Sequence, residues 1–248
     1  MQLIVDDLLT SYTKMGKGRI LLLLHGWGDS SKGLHALQLE LSKHYQVIAV
    51  DLPGFGSAQA PPEPWGLSEY ADFIKAFTMK IGIEPEIILG HSNGGAIAVR
   101  ALARGLAGKR LVLVASAGIR GEYKGRMKAL RLVTKAGKAL TSPLPGAVKK
   151  RLRRKVYTSI GSDMLVAEHL QETFKRVVND DIRADAAQLH IPTLLIYGDE
   201  DVSTPLEFGK KLHRAITDSK LVVVPGGEHT LPTDQPELVT KYVREFLA

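Results

Sequence analysis

Six residues, Gly90-His91-Ser92-Asn93-Gly94-Gly95, separate two runs of opposite character. Before them stands Glu86-Ile87-Ile88-Leu89, too short and apolar for a surface helix and readable as a buried strand. After them, Ala96-Ile97-Ala98-Val99-Arg100-Ala101-Leu102-Ala103-Arg104 is rich in Ala and Leu, which favour helix. A strand that passes into a helix through Gly-x-Ser-x-Gly turns so sharply that side chains at positions 90 and 94 would collide with neighbouring backbone. The strain holds the Ser92 hydroxyl out at the carboxyl end of a sheet, with the amino end of a helix beneath it. A serine presented in this way is a candidate nucleophile.

The rest of the chain alternates around that junction. Residues 8–14 and 19–24 read as strands joined by the turn-rich Gly16-Lys17-Gly18, and Arg19-Ile20-Leu21-Leu22-Leu23-Leu24 is apolar enough to be covered on both faces. Leu34, Leu37 and Leu41 recur at helical spacing within 31–43. Gln46-Val47-Ile48-Ala49-Val50 reads as a buried strand, and a helix is expected from about Ser68 to Ile81. Further strands are expected at 109–115, 191–197 and 220–224, with helices from Pro205 to Ile216 and from Pro236 to Leu247. Strands alternating with helices imply an α/β fold, a mostly parallel sheet with helices on both faces. Regularity breaks between Ala117 and about Ala187, so the expected organisation is a core of residues 1–118 and 186–248 with a helical insertion over 119–185.

Composition narrows the chemistry. No cysteine occurs, which excludes disulfides, a thiol nucleophile and thiolate metal sites. The histidines show no metal-ligand spacing, so neither metal nor other cofactor is expected. The first residues lack the basic start and apolar run of a signal peptide, and the longest apolar run, Ile20 to Leu24, is too short to span a bilayer. The expectation is a cytoplasmic protein.

A serine elbow needs a base, an orienting acid and an oxyanion site. Three strand ends supply candidates: Asp199 and Asp201 after Tyr197-Gly198, and His229 in Val224-Pro225-Gly226-Gly227-Glu228-His229. The order Ser, Asp, His is that of a sheet hydrolase, and parallel strands would bring all three carboxyl ends to one edge.

With these pieces the chain resembles the α/β-hydrolase superfamily over nearly its whole length outside the insertion. The family's His-Gly-x-Gly oxyanion loop is matched by His25-Gly26-Trp27-Gly28, which implies the backbone N–H groups of Trp27 and Asn93 as oxyanion donors. Its Gly-x-x-Asp-x-x-x-Pro stretch is matched by Gly198-Asp199-Glu200-Asp201-Val202-Ser203-Thr204-Pro205, which implies Asp201 rather than Asp199 as the acid. Asp51-Leu52-Pro53-Gly54-Phe55-Gly56-Ser57 is similar to a turn common in the family and is read as scaffold for the oxyanion loop. Glu228 departs from the family, which usually has a small residue before the catalytic histidine; it either faces solvent or raises the pKa of His229. A serine at the elbow argues against dehalogenase and epoxide-hydrolase chemistry, which in this superfamily use aspartate there. The resemblance implies a serine hydrolase acting through an acyl-enzyme on a small-molecule carboxylic ester, with lactones, thioesters and activated carbon–carbon bonds as alternatives. A ligand-binding relative without catalysis would be expected to carry a broken triad.

In position, the insertion resembles the helical cap of this superfamily. The net charge of +7 is concentrated there: residues 119–160 hold thirteen Lys and Arg against the single carboxylate Glu122. Lys128, Arg131, Lys135 and Lys138 share one helix face, beside Ala129, Leu132, Ala136 and Leu140. Val148, Leu152 and Val156 form a second stripe, and Val166, Leu170, Phe174 and Val177 a third. The basic faces are open to three readings: solvated lid surface, contact with an anionic membrane or partner, or steering of acidic substrates. Aromatic content of 6% and the absence of a recognition motif argue against nucleic acid.

Overall fold

The computed structural model of the protein describes residues 1–120 and 168–248. The first two apolar stripes of the insertion, Val166 of the third, and the basic residues from Lys124 to Lys155 with Glu122 lie outside the described residues.

Within them, the apolar runs become a sheet of eight strands. These are β1 (Gln2–Val5), β2 (Leu8–Met15), β3 (Ile20–Leu24), β4 (Gln46–Val50), β5 (Ile87–His91), β6 (Arg110–Val114), β7 (Thr193–Gly198) and β8 (Ser219–Val224). Their spatial order is β1-β2-β4-β3-β5-β6-β7-β8, antiparallel for the β1–β2 and β2–β4 pairs and parallel from β4 to β8. β3 shows why a run of leucines suits its centre. Successive side chains on a strand point to opposite faces. Leu21 and Leu23 join one buried layer and Leu22 and Leu24 the other, each leucine contributing about 1.5–3 kcal/mol of burial.

One layer is covered by α1 (His35–Ser42) through Leu37 and Leu41, and by the last helix, α8 (Pro236–Leu247), through Val239 and Val243. The other is covered by α2 (Leu67–Lys80), α3 (Asn93–Ala103) and α6 (Leu206–Ala215), through Tyr70, Phe73, Phe77, Ile97 and Leu212. Two short pieces, α5 (Arg183–Ala186) and α7 (Leu231–Asp234), together with α4 (Gln171–Asn179) and a 3₁₀ turn at Glu168–Leu170, complete the described helices.

Two features go beyond the expected elements. β1 was not anticipated; it turns into β2 at Asp6 and Asp7, whose φ angles of 45° and 62° suit the tight hairpin turn that twists with its strands. β2 pairs with β4 rather than with its chain neighbour β3.

Around residues 180–185 the chain is fastened to the helix that follows Ser92. Arg100 of α3, 14% exposed at its side chain, donates from Nε to Asp185 (2.7 Å), from Nη2 to Asp180 (3.1 Å) and from Nη1 to Ser68 Oγ (2.9 Å). Ile182 is fully buried against the core, and its N–H donates to the Gly118 carbonyl at 2.8 Å. Of the third apolar stripe, Leu170 and Val177 are buried and join the core.

Candidate active site

Close packing explains the glycines of the elbow. A Cβ on Gly90 would lie 2.5 Å from the Gly94 carbonyl oxygen, and one on Gly94 2.4 Å from the Leu24 carbonyl oxygen. Ser92 between them adopts φ 51° and ψ −118°, a sparsely populated conformation that costs roughly 1–3 kcal/mol. Neighbouring strands hold the strain in place. Ser92 N–H donates to the Val114 carbonyl (3.1 Å), and the Ser92 carbonyl accepts from Ala117 N–H (2.9 Å). Asn93 is the first residue of α3, where backbone N–H groups have no partner within the helix.

The structure brings Ser92, His229 and Asp201 together. Ser92 Oγ is 3.0 Å from His229 Nε2, and His229 Nδ1 is 2.9 Å from Asp201 Oδ2. Asp201 is buried, and its Oδ1 accepts the N–H groups of Ser203 and Thr204, both at 2.8 Å. Burial works to raise its carboxyl. The hydrogen bond from His229, the facing imidazole and the bonds from Thr204 outweigh it, and hold the group below the ordinary carboxylate range. An ionised carboxylate only accepts, so His229 carries its proton on Nδ1 and leaves Nε2 to accept from Ser92.

Asp199, the other candidate acid, has a different neighbour. Its Oδ1 accepts the Gly226 N–H at 2.7 Å, and Glu200 N–H donates to the Gly227 carbonyl at 3.0 Å. The loops after β7 and β8 are thereby stitched together, so closely that a Cβ on Gly198 would lie 1.9 Å from the Gly227 oxygen. Glu228 is exposed.

The His25-Gly26-Trp27-Gly28 loop lies beside the elbow: a Cβ on Gly26 would approach the Ser92 Cβ to 3.1 Å. His25 is buried and braces backbone on both sides. Its Nδ1–H donates to the Gly26 carbonyl (2.7 Å), and its Nε2 accepts Leu52 N–H (2.9 Å). Asp51 holds the following turn by accepting Ser31 N–H at 2.8 Å and Ser57 N–H at 2.9 Å. The Trp27 ring packs edge-on against Phe55 (centroids 4.8 Å apart) and tilted against Phe174 of α4 (5.1 Å).

A family model for the alpha/beta hydrolases matches residues 21–241. The chain belongs to the alpha/beta hydrolase family. Among curated proteins, it is 28% identical to the AB hydrolase superfamily protein YisY of Bacillus subtilis, over 94% of this chain and 92% of that one. It is likewise 28% identical to a pimeloyl-[acyl-carrier protein] methyl ester esterase of Neisseria meningitidis, over 91% of each. Among solved structures, a membrane phospholipase A described as a bacterial virulence factor superposes with a TM-score of 0.80 at 22% identity, over all of this chain and 84% of that one. Among the described residues of this hydrolase, no group of side chains is arranged to hold a metal ion, and no helix is long and apolar enough to cross a membrane.

Two histidines of the hydrolase are kept neutral by burial. His91, the last residue of β5, lies with its ring centroid 5.0 Å from that of His229, and its Nε2 is 3.0 Å from the His229 carbonyl oxygen, to which it donates. Burial, followed by the nearby His229, lowers its pKa to about 3. Burial also lowers that of His25, whose Nε2 must stay unprotonated to accept Leu52 N–H. A charged His91 would oppose a charged His229 by roughly 3 kcal/mol at that distance, so its neutrality matters whenever His229 takes up a proton.

These shifts have a definite sign. In the unfolded chain both rings bind a proton near pH 6.5, whereas in the folded chain they do not. The unfolded state therefore gains protons as pH falls below that value, and stability is lost, down to about pH 3 in the case of His91. By about pH 5 the expected loss from His91 is about 2 kcal/mol relative to neutral pH, and His25 adds a loss of the same sign. Urea unfolding at the two pH values measures it. His91→Asn should remove about 2 kcal/mol of the loss between the two pH values; an unchanged slope would show that His91 is not the group responsible.

Proposed function

We propose that this hydrolase cleaves carboxylic esters or related small acyl substrates through an acyl-enzyme on Ser92. The observation that carries the reading is the continuous hydrogen-bonded chain from Ser92 Oγ through His229 to Asp201. Its geometry suits the chemistry step by step. Ser92 Oγ attacks the substrate carbonyl carbon as its proton passes to His229 Nε2. The carbonyl oxygen becomes an oxyanion, with the backbone N–H groups of Trp27 and Asn93 assigned as its donors; one such donor is worth about 10²–10³-fold in kcat. Asp201, ionised and held by backbone, stabilises the imidazolium without taking its proton. His229 then protonates the departing alkoxide, the carbon–oxygen bond breaks, and an alcohol leaves. Water attacks the acyl-enzyme with His229 as base, and its proton returns to Ser92 as the acid departs.

Simple esters are favoured because one relative is named as a methyl ester esterase. Thioesters, lactones and activated carbon–carbon bonds are compatible with the same three residues. Incubation with a fluorophosphonate tests the reading. Ser92 Oγ should displace fluoride and gain one phosphonyl group, located by peptide mass, and Ser92→Ala should gain none. An unlabelled wild-type protein would indicate a binding module with an unreactive serine.

A further inference from the structure

The acid end of the Ser92–His229–Asp201 chain has a fourth participant in Thr204, which is 4% exposed. Its Oγ1 lies 2.8 Å from Asp201 Oδ2, 2.8 Å from the Ala115 carbonyl oxygen and 3.1 Å from His229 Nδ1. A hydroxyl owns one proton and two lone pairs, so these approaches cannot all be donations. His229 Nδ1–H is a donor, while the carboxylate and the carbonyl only accept. The hydroxyl proton therefore has two acceptors competing for it. A hydrogen bond to an ionised acceptor is roughly twice as strong as one to a neutral acceptor, so the proton rests chiefly with Asp201.

That completes the carboxylate. Oδ1 holds two backbone N–H groups, and Oδ2 holds the Thr204 hydroxyl and His229 Nδ1–H, which fills about four acceptor sites. The terminal torsion of an aspartate is broad and soft, so one well-held oxygen does not fix the plane of the group. The hydroxyl on Oδ2 does. The remaining share of its proton goes to the carbonyl of Ala115 at another strand end, which follows β6 at φ 46° with its N–H bonded to the Ile196 carbonyl at 2.9 Å.

We propose that Thr204 is a positioning residue for the reaction, its hydroxyl seated between the Ala115 carbonyl and Asp201 so that Oδ2 is held facing His229 Nδ1. The proposal rests on the serine-hydrolase reading. It assigns a function to the hydroxyl that the backbone N–H of the same residue does not supply.

The test compares Thr204→Val, nearly isosteric but without the hydroxyl, with Thr204→Ser, which keeps it, on a soluble p-nitrophenyl ester. Thr204→Val should lose on the order of 10–100-fold in kcat, the usual cost of removing a supporting partner, with KM changed less than about twofold. Thr204→Ser should stay within about threefold of wild type. A residue that merely supports folding would lower the melting temperature but leave kcat of the folded enzyme unchanged. The proposal is overturned if folded Thr204→Val keeps wild-type kcat, or if Thr204→Ser falls as far as Thr204→Val. Should the valine variant not fold, Thr204→Ala replaces it, read by the same two outcomes; a folded Thr204→Ser with kcat reduced more than about tenfold overturns the proposal without either. Ser92→Ala in the same assay separates the two levels of inference. Full turnover there removes the serine-hydrolase reading itself, whereas an inactive Ser92→Ala beside an unaffected Thr204→Val removes only the role of Thr204.

Discussion

Ser92→Ala is expected to lower turnover of an activated ester by about 10⁴–10⁶-fold while leaving the fold intact. The large loss follows from the position of Ser92 Oγ, 3.0 Å from His229 Nε2. Without it, no atom accepts the acyl group, and His229 is left to activate water alone. The intact fold follows from the backbone. Alanine has the same Cβ as serine, so the strained conformation at φ 51° is no harder to hold. His229→Ala should fall by a similar factor, and the double variant little further, because the groups act as a unit. Wild-type turnover by a pure Ser92→Ala preparation would refute the mechanism.

Asp201→Asn is expected to cost about 10⁴-fold, and the hydrogen bonds around the carboxylate explain why an isosteric change is so damaging. The Oδ1 position faces two backbone N–H groups, from Ser203 and Thr204, so the asparagine oxygen must sit there. The amide NH₂ then occupies the Oδ2 position and points its protons at His229 Nδ1. Nδ1 has to become the acceptor, the ring proton moves to Nε2, and Nε2 can no longer take the proton of Ser92. Asp199→Asn should cost little, since the amide keeps an oxygen for Gly226 N–H. Steady-state kinetics of the two variants decide the matter: the reverse ranking would make Asp199 the acid.

Features set by local chain chemistry could be read from the sequence. The leucines of β3 and the Ala-rich helix after Ser92 are determined by their own side chains, and each element lies within a few residues of where it was expected. Gly90 and Gly94 were legible because the pattern around Ser92 tolerates nothing larger. What eluded the sequence was set by partners far along the chain. The pairing of β2 with β4 depends on register across about 35 residues, which no short pattern encodes. The β1 hairpin did have a local sign, Asp6-Asp7 between apolar residues, but aspartate is also common in turns of other kinds. Thr204 looks like any hydroxyl residue before a proline. Its side chain gains partners at the end of β6, 89 positions earlier, and at His229, 25 positions later. His91 likewise acquires its bond to the His229 carbonyl across 138 positions.

The border of the sheet sets a separate threshold for activity. β8 is the outermost strand on its side, partly exposed along most of its length, and His229 hangs from the loop that follows it. Edge elements with few buried groups open at a lower free energy than central strands. On the proposed mechanism, a brief detachment of β8 withdraws the base from Ser92 while β3, β4 and β5 stay packed. Residues 219–229 and the Asp199–Gly226 bond that pins them are therefore expected to limit retention of activity before the leucines at the centre do. Substitutions that reinforce this margin are the ones expected to prolong activity.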